Sequence, residues 1–239
     1  VKILASKFLY PKDLPNLENV LTPFKNTSIQ LSFFQRTDFL LIDHKKIKEV
    51  CNFLNIGIPT VHAPTVDVFH QDFLQILGRI KEVYDIEVIS IHPQKGESNE
   101  AMKKFEEYAK AIEDLGITLA YENFPSYVSK RKWINLPAEM HSKFNLLFLA
   151  LTFDTSHLDE PADCIEEFDK VSEKVAVVHL SDASQGKEHL PLGMGCVPYK
   201  KFLNHLQAKD FSGCVVIEYM EEFESKLIED TKELAVEFK

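Results

Sequence analysis

The chain has 239 residues, 45% of them hydrophobic, enough for one large α/β domain or two small ones. A formal charge of -10 argues against a general affinity for nucleic acid, and no apolar run approaches membrane-spanning length. Cys51, Cys164, Cys196 and Cys214 lie in unrelated segments with no CxxC pair, which predicts reduced thiols in a cytoplasmic protein. The opening Val1–Lys7 turns polar too soon to read as a signal peptide.

Val1–Leu9 reads as a first strand, and a helix is expected over Asp13–Leu21 after Pro11. Thr27–Phe34 alternates as a strand does. Asp43 is placed to cap a helix to about Asn55, with Ile47, Val50, Cys51 and Leu54 on one face. Ile58–Pro64 is a short strand, Phe73, Leu77, Ile80 and Tyr84 mark a helix, and Glu87–Pro93 is the fourth strand. Asn99–Leu115 is a long helix with Gly116 as its C-cap, followed by the strand Ile117–Pro125. A helix near Pro137–Phe144 precedes the apolar run Asn145–Leu151, which ends at Asp154 and reads as a strand covered on both faces. Ala162–Val171 is helical and Val175–Asp182 is a strand. A loop then carries Lys187–His189 and Gly193–Gly195; Tyr199–Ala208 is a helix, Gly213–Glu218 the last strand and Phe223–Phe238 the last helix.

Eight strand-then-helix units in a row predict an α/β fold: a (β/α)₈ TIM barrel forming a single domain over residues 1–239, close to the usual size of about 250 residues. The alternative is an open, doubly wound sheet. That fold is expected to offer a glycine-rich phosphate turn after the first strand, and Phe8–Pro11 has none.

Several strands close on residues of one chemical kind: His62, His92, Glu122, Asp154, His179 and Glu218. In a barrel such residues form a ring on the C-terminal face, where active sites of this fold lie. Any one of them has a bland explanation, as a hydrogen-bonded loop histidine, a helix cap or an ion-pair partner. As a set they contain no Lys or Arg, and clustered carboxylates repel unless a cation sits between them. A divalent metal at this face is therefore expected.

Four segments, Ala120-Tyr-Glu-Asn-Phe124, Phe153-Asp-Thr-Ser-His157, Val178-His-Leu-Ser-Asp182 and Val216-Ile-Glu218, resemble the metal motifs of the xylose isomerase-like barrel superfamily. Leu192-Gly-Met-Gly-Cys-Val-Pro-Tyr199 is similar to its glycine loop. That superfamily includes sugar and sugar-phosphate isomerases and epimerases and the endonuclease IV nucleases. The resemblance implies that Glu122, Asp154, His179 and Glu218 hold one divalent ion. Three oxygen donors and an imidazole suit Mn²⁺, Mg²⁺, Co²⁺ or Zn²⁺. It also implies substrate contacts for His62, His92, His157 and His189, three of which (His62, His92, His189) match positions where the nucleases hold further zinc ions. Lys187 stands where those nucleases have an aspartate ligand, and an ammonium there opposes a full zinc cluster; Lys187 is instead assigned to substrate.

Three functions follow as expectations. The first is isomerisation or epimerisation of a small sugar or sugar phosphate, with Glu122 and Glu218 passing the proton out and back and Phe34, Phe124 or Trp133 excluding water. Lys130–Lys132 is placed to meet a phosphate or simply to be solvated. The second is an endonuclease IV-like zinc phosphodiesterase acting on abasic DNA, with Arg36 entering a groove. The third is a metal-binding barrel without catalysis. His44, His70, His141 and His205 are given no role.

Overall fold

The computed structural model describes residues 1–92, 98–124, 149–184 and 186–238. Strand β1 (Lys2–Phe8) leads into a 3-10 turn over Pro11–Asn16 and a short helix α1 (Leu17–Leu21). The first expected helix therefore starts in tighter geometry, where Pro11 and Pro15 leave fewer N–H donors for an α-helical ladder. After β2 (Ser28–Ser32) comes α2 (Arg36–Leu41), a six-residue helix too short to show a periodic apolar face in the sequence. Helix α3 (His44–Phe53) is capped as expected by Asp43, whose carboxylate accepts from the Lys46 amide at 3.1 Å.

The alternation continues through β3 (Gly57–His62), α4 (Phe73–Tyr84), β4 (Val88–Ile91), α5 (Ser98–Asp114) and β5 (Thr118–Glu122). Gly116 follows α5 at φ +63°, the left-handed conformation a helix end demands. Beyond β6 (Leu149–Asp154) and α6 (Cys164–Asp169), β7 spans Val175–Leu180. The chain then leaves the barrel in an antiparallel hairpin, β8 (Asp182–Ser184) and β9 (Lys187–Leu190), where the sequence predicts a loop. Helix α7 (Tyr199–Ala208), strand β10 (Cys214–Ile217) and helix α8 (Glu224–Glu237) complete the chain. The helix expected near Pro137–Phe144 lies outside the described residues.

Strand β1 pairs in parallel with β2 on one side and with β10 on the other, so the sheet closes in the order β1-β10-β7-β6-β5-β4-β3-β2. Closure excludes the open, doubly wound sheet, which must leave two edges. The result is a (β/α)₈ barrel. None of the described helices is long and apolar enough to cross a membrane, and all four cysteines are free thiols.

The main core lies between the strands and the surrounding helices. Its density is plain around Phe168 of α6, whose ring meets Phe153 and Phe202 edge-on at 5.5 Å and Phe211 at 5.8 Å. Inside the barrel a second, small cluster joins Leu4, Ala120, Val177 and Val216 from β1, β5, β7 and β10. Side chains along a strand repeat every two residues. Two residues beyond those four stand Ser6, Glu122, His179 and Glu218, so an apolar plug supports a polar layer directly above it.

Phe168→Ala is expected to lower unfolding free energy by about 3–5 kcal/mol, the usual cost of emptying a fully packed phenyl site. Urea unfolding followed by circular dichroism measures it.

Candidate metal centre

Glu122, Asp154, His179 and Glu218 reach one point from four strands and are 2, 0, 0 and 5% exposed. His179 Nδ1 lies 2.7 Å from Glu122 Oε1, 2.8 Å from Glu218 Oε2 and 3.7 Å from Asp154 Oδ2. Register explains the convergence: Asp154 stands opposite His179 across β6 and β7, and His179 opposite Val216, two residues before Glu218.

Asp154 shows what the group lacks. Its Oδ1 accepts from the amide and hydroxyl of Ser156 at 2.7 and 2.8 Å and from the His157 amide at 3.2 Å. Its Oδ2 is buried and has no hydrogen-bond partner among the described residues. A buried carboxylate oxygen left unpaired is costly, and one aimed at two further carboxylates more so. One ligand atom from each of the four residues lies within 4.8 Å of the others. Three hard oxygen donors and one imidazole at that spacing fit a divalent cation.

Without an ion, protons must offset the charge. Burial pushes the Glu122 and Glu218 carboxyls up, but His179 outweighs burial. It holds Glu218 at about 2 and Glu122 well below the usual carboxylate range. His179 is in turn raised well above its ordinary value, against burial, by Glu218 and Glu122. Both glutamates are therefore ionised beside a protonated His179.

Two histidine groups flank this centre. His62 Nε2 and His92 Nε2 approach Glu122 Oε2 at 3.3 and 3.7 Å, with the two rings 4.4 Å apart. Burial, and then His62 beside it, push His92 down to about 3, so it is neutral. On the other side His157 and His189 meet through their Nε2 atoms at 3.1 Å. His157 donates from Nδ1 to the Asn123 carbonyl at 3.0 Å and lies 3.5 Å from Glu188 Oε2. Burial disfavours its charge, but Asp154, with Glu188 and Glu122, raises it to about 10. Ligand atoms of His62, His92 and Glu122, and of Asp154, His157 and His189, form two further sets within the same 4.8 Å limit.

His62, His92, Glu122, His157, His189 and Glu218 line a cavity of about 330 Å³, walled in part by Tyr10, Phe34, Phe124 and Met220. Phe124 packs on His157 at 4.5 Å and on His92 at 5.9 Å, whereas Phe34, also a lining residue, is 53% exposed. Trp133, Lys130–Lys132 and His141 lie outside the described residues. Lys187 is exposed in β9 and is not among the lining residues, whereas its neighbour Glu188 is. His189 has φ 54°, which breaks strand alternation and turns Glu188 and His189 together toward the cavity. Lys187 thus sets no ammonium against His157 and His189. Arg36 begins α2 rather than a loop and is ion-paired with Asp72, so it is not a free cation at the mouth. His44 is a core residue between Tyr84 and the Phe39 carbonyl, and His205 pairs with Asp169.

The sequence reading missed Glu188, Asn123 and Gln30. Asn123 clasps the Asp154 backbone, donating to its carbonyl at 3.0 Å and accepting from its amide at 2.8 Å. Gln30, fully buried on β2, lies 3.0 Å from His179 Nε2. Glu188 sits inside a segment already singled out, and only the turn at His189 reveals its direction. The sequence predicts Asp182 as the end of the strand from Val175; in the structure that strand stops at Leu180 and Asp182 opens β8. It is a loop anchor that accepts from the Ala183, Gly193 and Val197 amides, each at 2.9 Å. Gly195 is required there, since a Cβ would stand 2.2 Å from the Ala183 carbonyl oxygen.

A profile of the xylose isomerase-like TIM barrel family matches residues 39–235. No protein of curated function matches the sequence. Among solved structures, a D-tagatose 3-epimerase-like protein superposes with TM-score 0.69 at 18% identity, covering 99% of each chain. The AP endonuclease, family 2, of Brucella melitensis gives 0.69 at 16% identity over 91% of this chain and 92% of its own. The 3-keto-D-glucoside 4-epimerase of E. coli gives 0.72 at 13% over 99% of both.

Stability of the chelator-treated protein should peak near pH 6.5, because folded His92, pushed by burial down to about 3, resists the proton that the unfolded chain takes up below 6.5. His157 binds its proton more tightly when folded. Its contribution is full below pH 6.5 and is lost as pH rises toward 10. Asp154 and Glu218, held near 2, contribute above their ordinary values of 3.8 and 4.5 and lose this as pH falls toward 2. Thermal melts across pH check both limbs, and a bound divalent ion should flatten the alkaline one.

Proposed function

This chain belongs to the xylose isomerase-like TIM barrel family, and from that premise we propose that it is a divalent-metal-dependent isomerase or epimerase of a small sugar. The observation that carries the reading is the pair of buried glutamates, Glu122 and Glu218, at 2.7 and 2.8 Å from His179 Nδ1 and both lining a cavity of about 330 Å³. Mere binding of an ion has no need of two opposed bases, which counts against the non-catalytic barrel.

The proposed holders of the ion are Glu122, Asp154, His179 and Glu218. When bound, the cation supplies positive charge against adjacent substrate oxygens and offsets the charge that develops as a proton leaves the carbon beside a carbonyl. For isomerisation one glutamate takes that proton and returns it to the neighbouring carbon; for epimerisation the other glutamate must first take a proton from solvent and then deliver it to the opposite face of the same carbon. His157 and His189 are placed to orient hydroxyls, and Phe124 to keep water away. Among the described lining residues Lys7 is the one Lys or Arg, and Glu224 holds it in an ion pair. Asp13, Glu188 and Glu221 line the same space, which favours a sugar without a phosphate.

A second reading, a zinc phosphodiesterase of the endonuclease IV kind, is favoured by the two flanking ligand sets and by the outward Lys187. The acidic lining and the engaged Arg36 count against it, because affinity for a duplex rests on cations near its phosphates. Metal analysis after dialysis has removed weakly held ions separates the two: near one ion per chain for the isomerase, near three zinc ions for the nuclease.

In D₂O, the isomerase is expected to incorporate deuterium at the carbon beside the carbonyl of a processed ketose. Glu218→Gln should reduce that exchange by about 10²–10⁴-fold with an unchanged circular dichroism spectrum. Full exchange in that variant removes the two-glutamate mechanism. Cleavage of an abasic duplex at physiological salt installs the second reading in its place.

A further inference from the structure

His179 offers Nδ1 to the carboxylates, and what its other nitrogen meets decides which tautomer is available. Nε2 points down the barrel at the side-chain amide of Gln30, with the amide nitrogen 3.0 Å away and the oxygen 3.5 Å away. Both residues are completely buried. A neutral imidazole carries one proton, so a ring that binds a cation through Nδ1 must keep its proton on Nε2 and donate it. The Gln30 carbonyl is the acceptor within reach, and rotation about the terminal bond of the side chain brings it to the ring without moving the backbone.

The same amide reaches across the polar layer. Gln30 Nε2 is 3.5 Å from Ser32 Oγ, Ser32 Oγ is 2.9 Å from Ser6 Oγ, and Ser6 donates to Glu218 Oε1 at 3.4 Å. Three buried side chains from β1 and β2 thus connect the far nitrogen of one proposed ligand to the far oxygen of another. The near atoms, His179 Nδ1 and Glu218 Oε2, face each other at 2.8 Å.

The geometry points to Gln30 as a positioning residue of the cation site: its carbonyl accepts the His179 Nε2 proton and so fixes Nδ1 as the coordinating nitrogen. This inference rests on the reading of Glu122, Asp154, His179 and Glu218 as ligands of one ion. A histidine ligand ordinarily donates its other ring N–H to a fixed acceptor, and loss of such an acceptor weakens metal binding about 10–100-fold.

The test uses Zn²⁺ on the full chain, with affinity read by competition against a chelator. Gln30→Met, similar in length and without an acceptor, is expected to bind Zn²⁺ about 10–100-fold more weakly than the wild type. Gln30→Glu keeps an oxygen at the same place and is expected to bind at least as tightly as the wild type. In ¹⁵N-histidine NMR of the Zn²⁺-loaded wild type, His179, identified by its displacement in Gln30→Glu, is expected as the Nε2–H tautomer with Nδ1 on the metal. An Nδ1–H tautomer in the loaded protein overturns the inference, as does Gln30→Met with wild-type affinity or Gln30→Glu as weak as Gln30→Met. Should Gln30→Met fail to fold, the tautomer and the Gln30→Glu affinity decide. A wild-type protein that takes up no Zn²⁺ overturns the four-residue site itself, an outcome distinct from failure at Gln30.

Discussion

Three buried carboxylates share the surroundings of one imidazole, and that crowding constrains the rest of the molecule. Glu122, Asp154 and Glu218 each arrive from a different strand, and His179 stands among them with one nitrogen to serve all three. Placing that much negative charge away from water is tolerable only with a positive group at its middle. Asp154 Oδ2, with no hydrogen-bond partner among the described residues, marks where the compensation falls short. Such an arrangement weakens a protein whose only task is to fold, and it is useful to one that must hold a cation and move protons beside it.

The barrel tolerates the cost because it separates the two requirements in space. Leu4, Ala120, Val177 and Val216 close the interior with apolar side chains, and the main core lies outside the sheet, under the helices. Parallel pairing fixes which strand residues stand level, so the polar layer is set by the same register that packs the plug below it. Precision at the site then derives from strands rather than loops. The β8–β9 hairpin extends this frame, tied by Asp182 to the glycine loop and by the Met220 amide to the His189 carbonyl at 3.1 Å.

Much of this was legible in the residue order, for a physical reason. A strand buried on both faces has little tolerance for charge, so Asp154 at the end of an apolar run, and Glu122 and Glu218 likewise, stood out by residue type alone. Eight strand-then-helix units in 239 residues carried the expectation of a closed barrel. What escaped was whatever depends on direction within a short irregular segment. Lys187 and Glu188 are equally polar neighbours, and only the left-handed His189 turns the second inward. Gln30 escaped differently: one amide in an alternating strand carries no mark of being buried until the opposite wall of the barrel is known. Helix α2 is too short to write a period.

Glu122 belongs both to the central ligand set and to the one with His62 and His92, and Asp154 both to the centre and to the set with His157 and His189. Shared donors make the three places electrically dependent on one another. An ion at the centre withdraws charge from both carboxylates and lowers their attraction for a second ion on either flank. Occupancy would then be graded by concentration, with the centre filling before its neighbours. The number of ions carried would reflect the supply of metal around the protein as much as the residues that hold it.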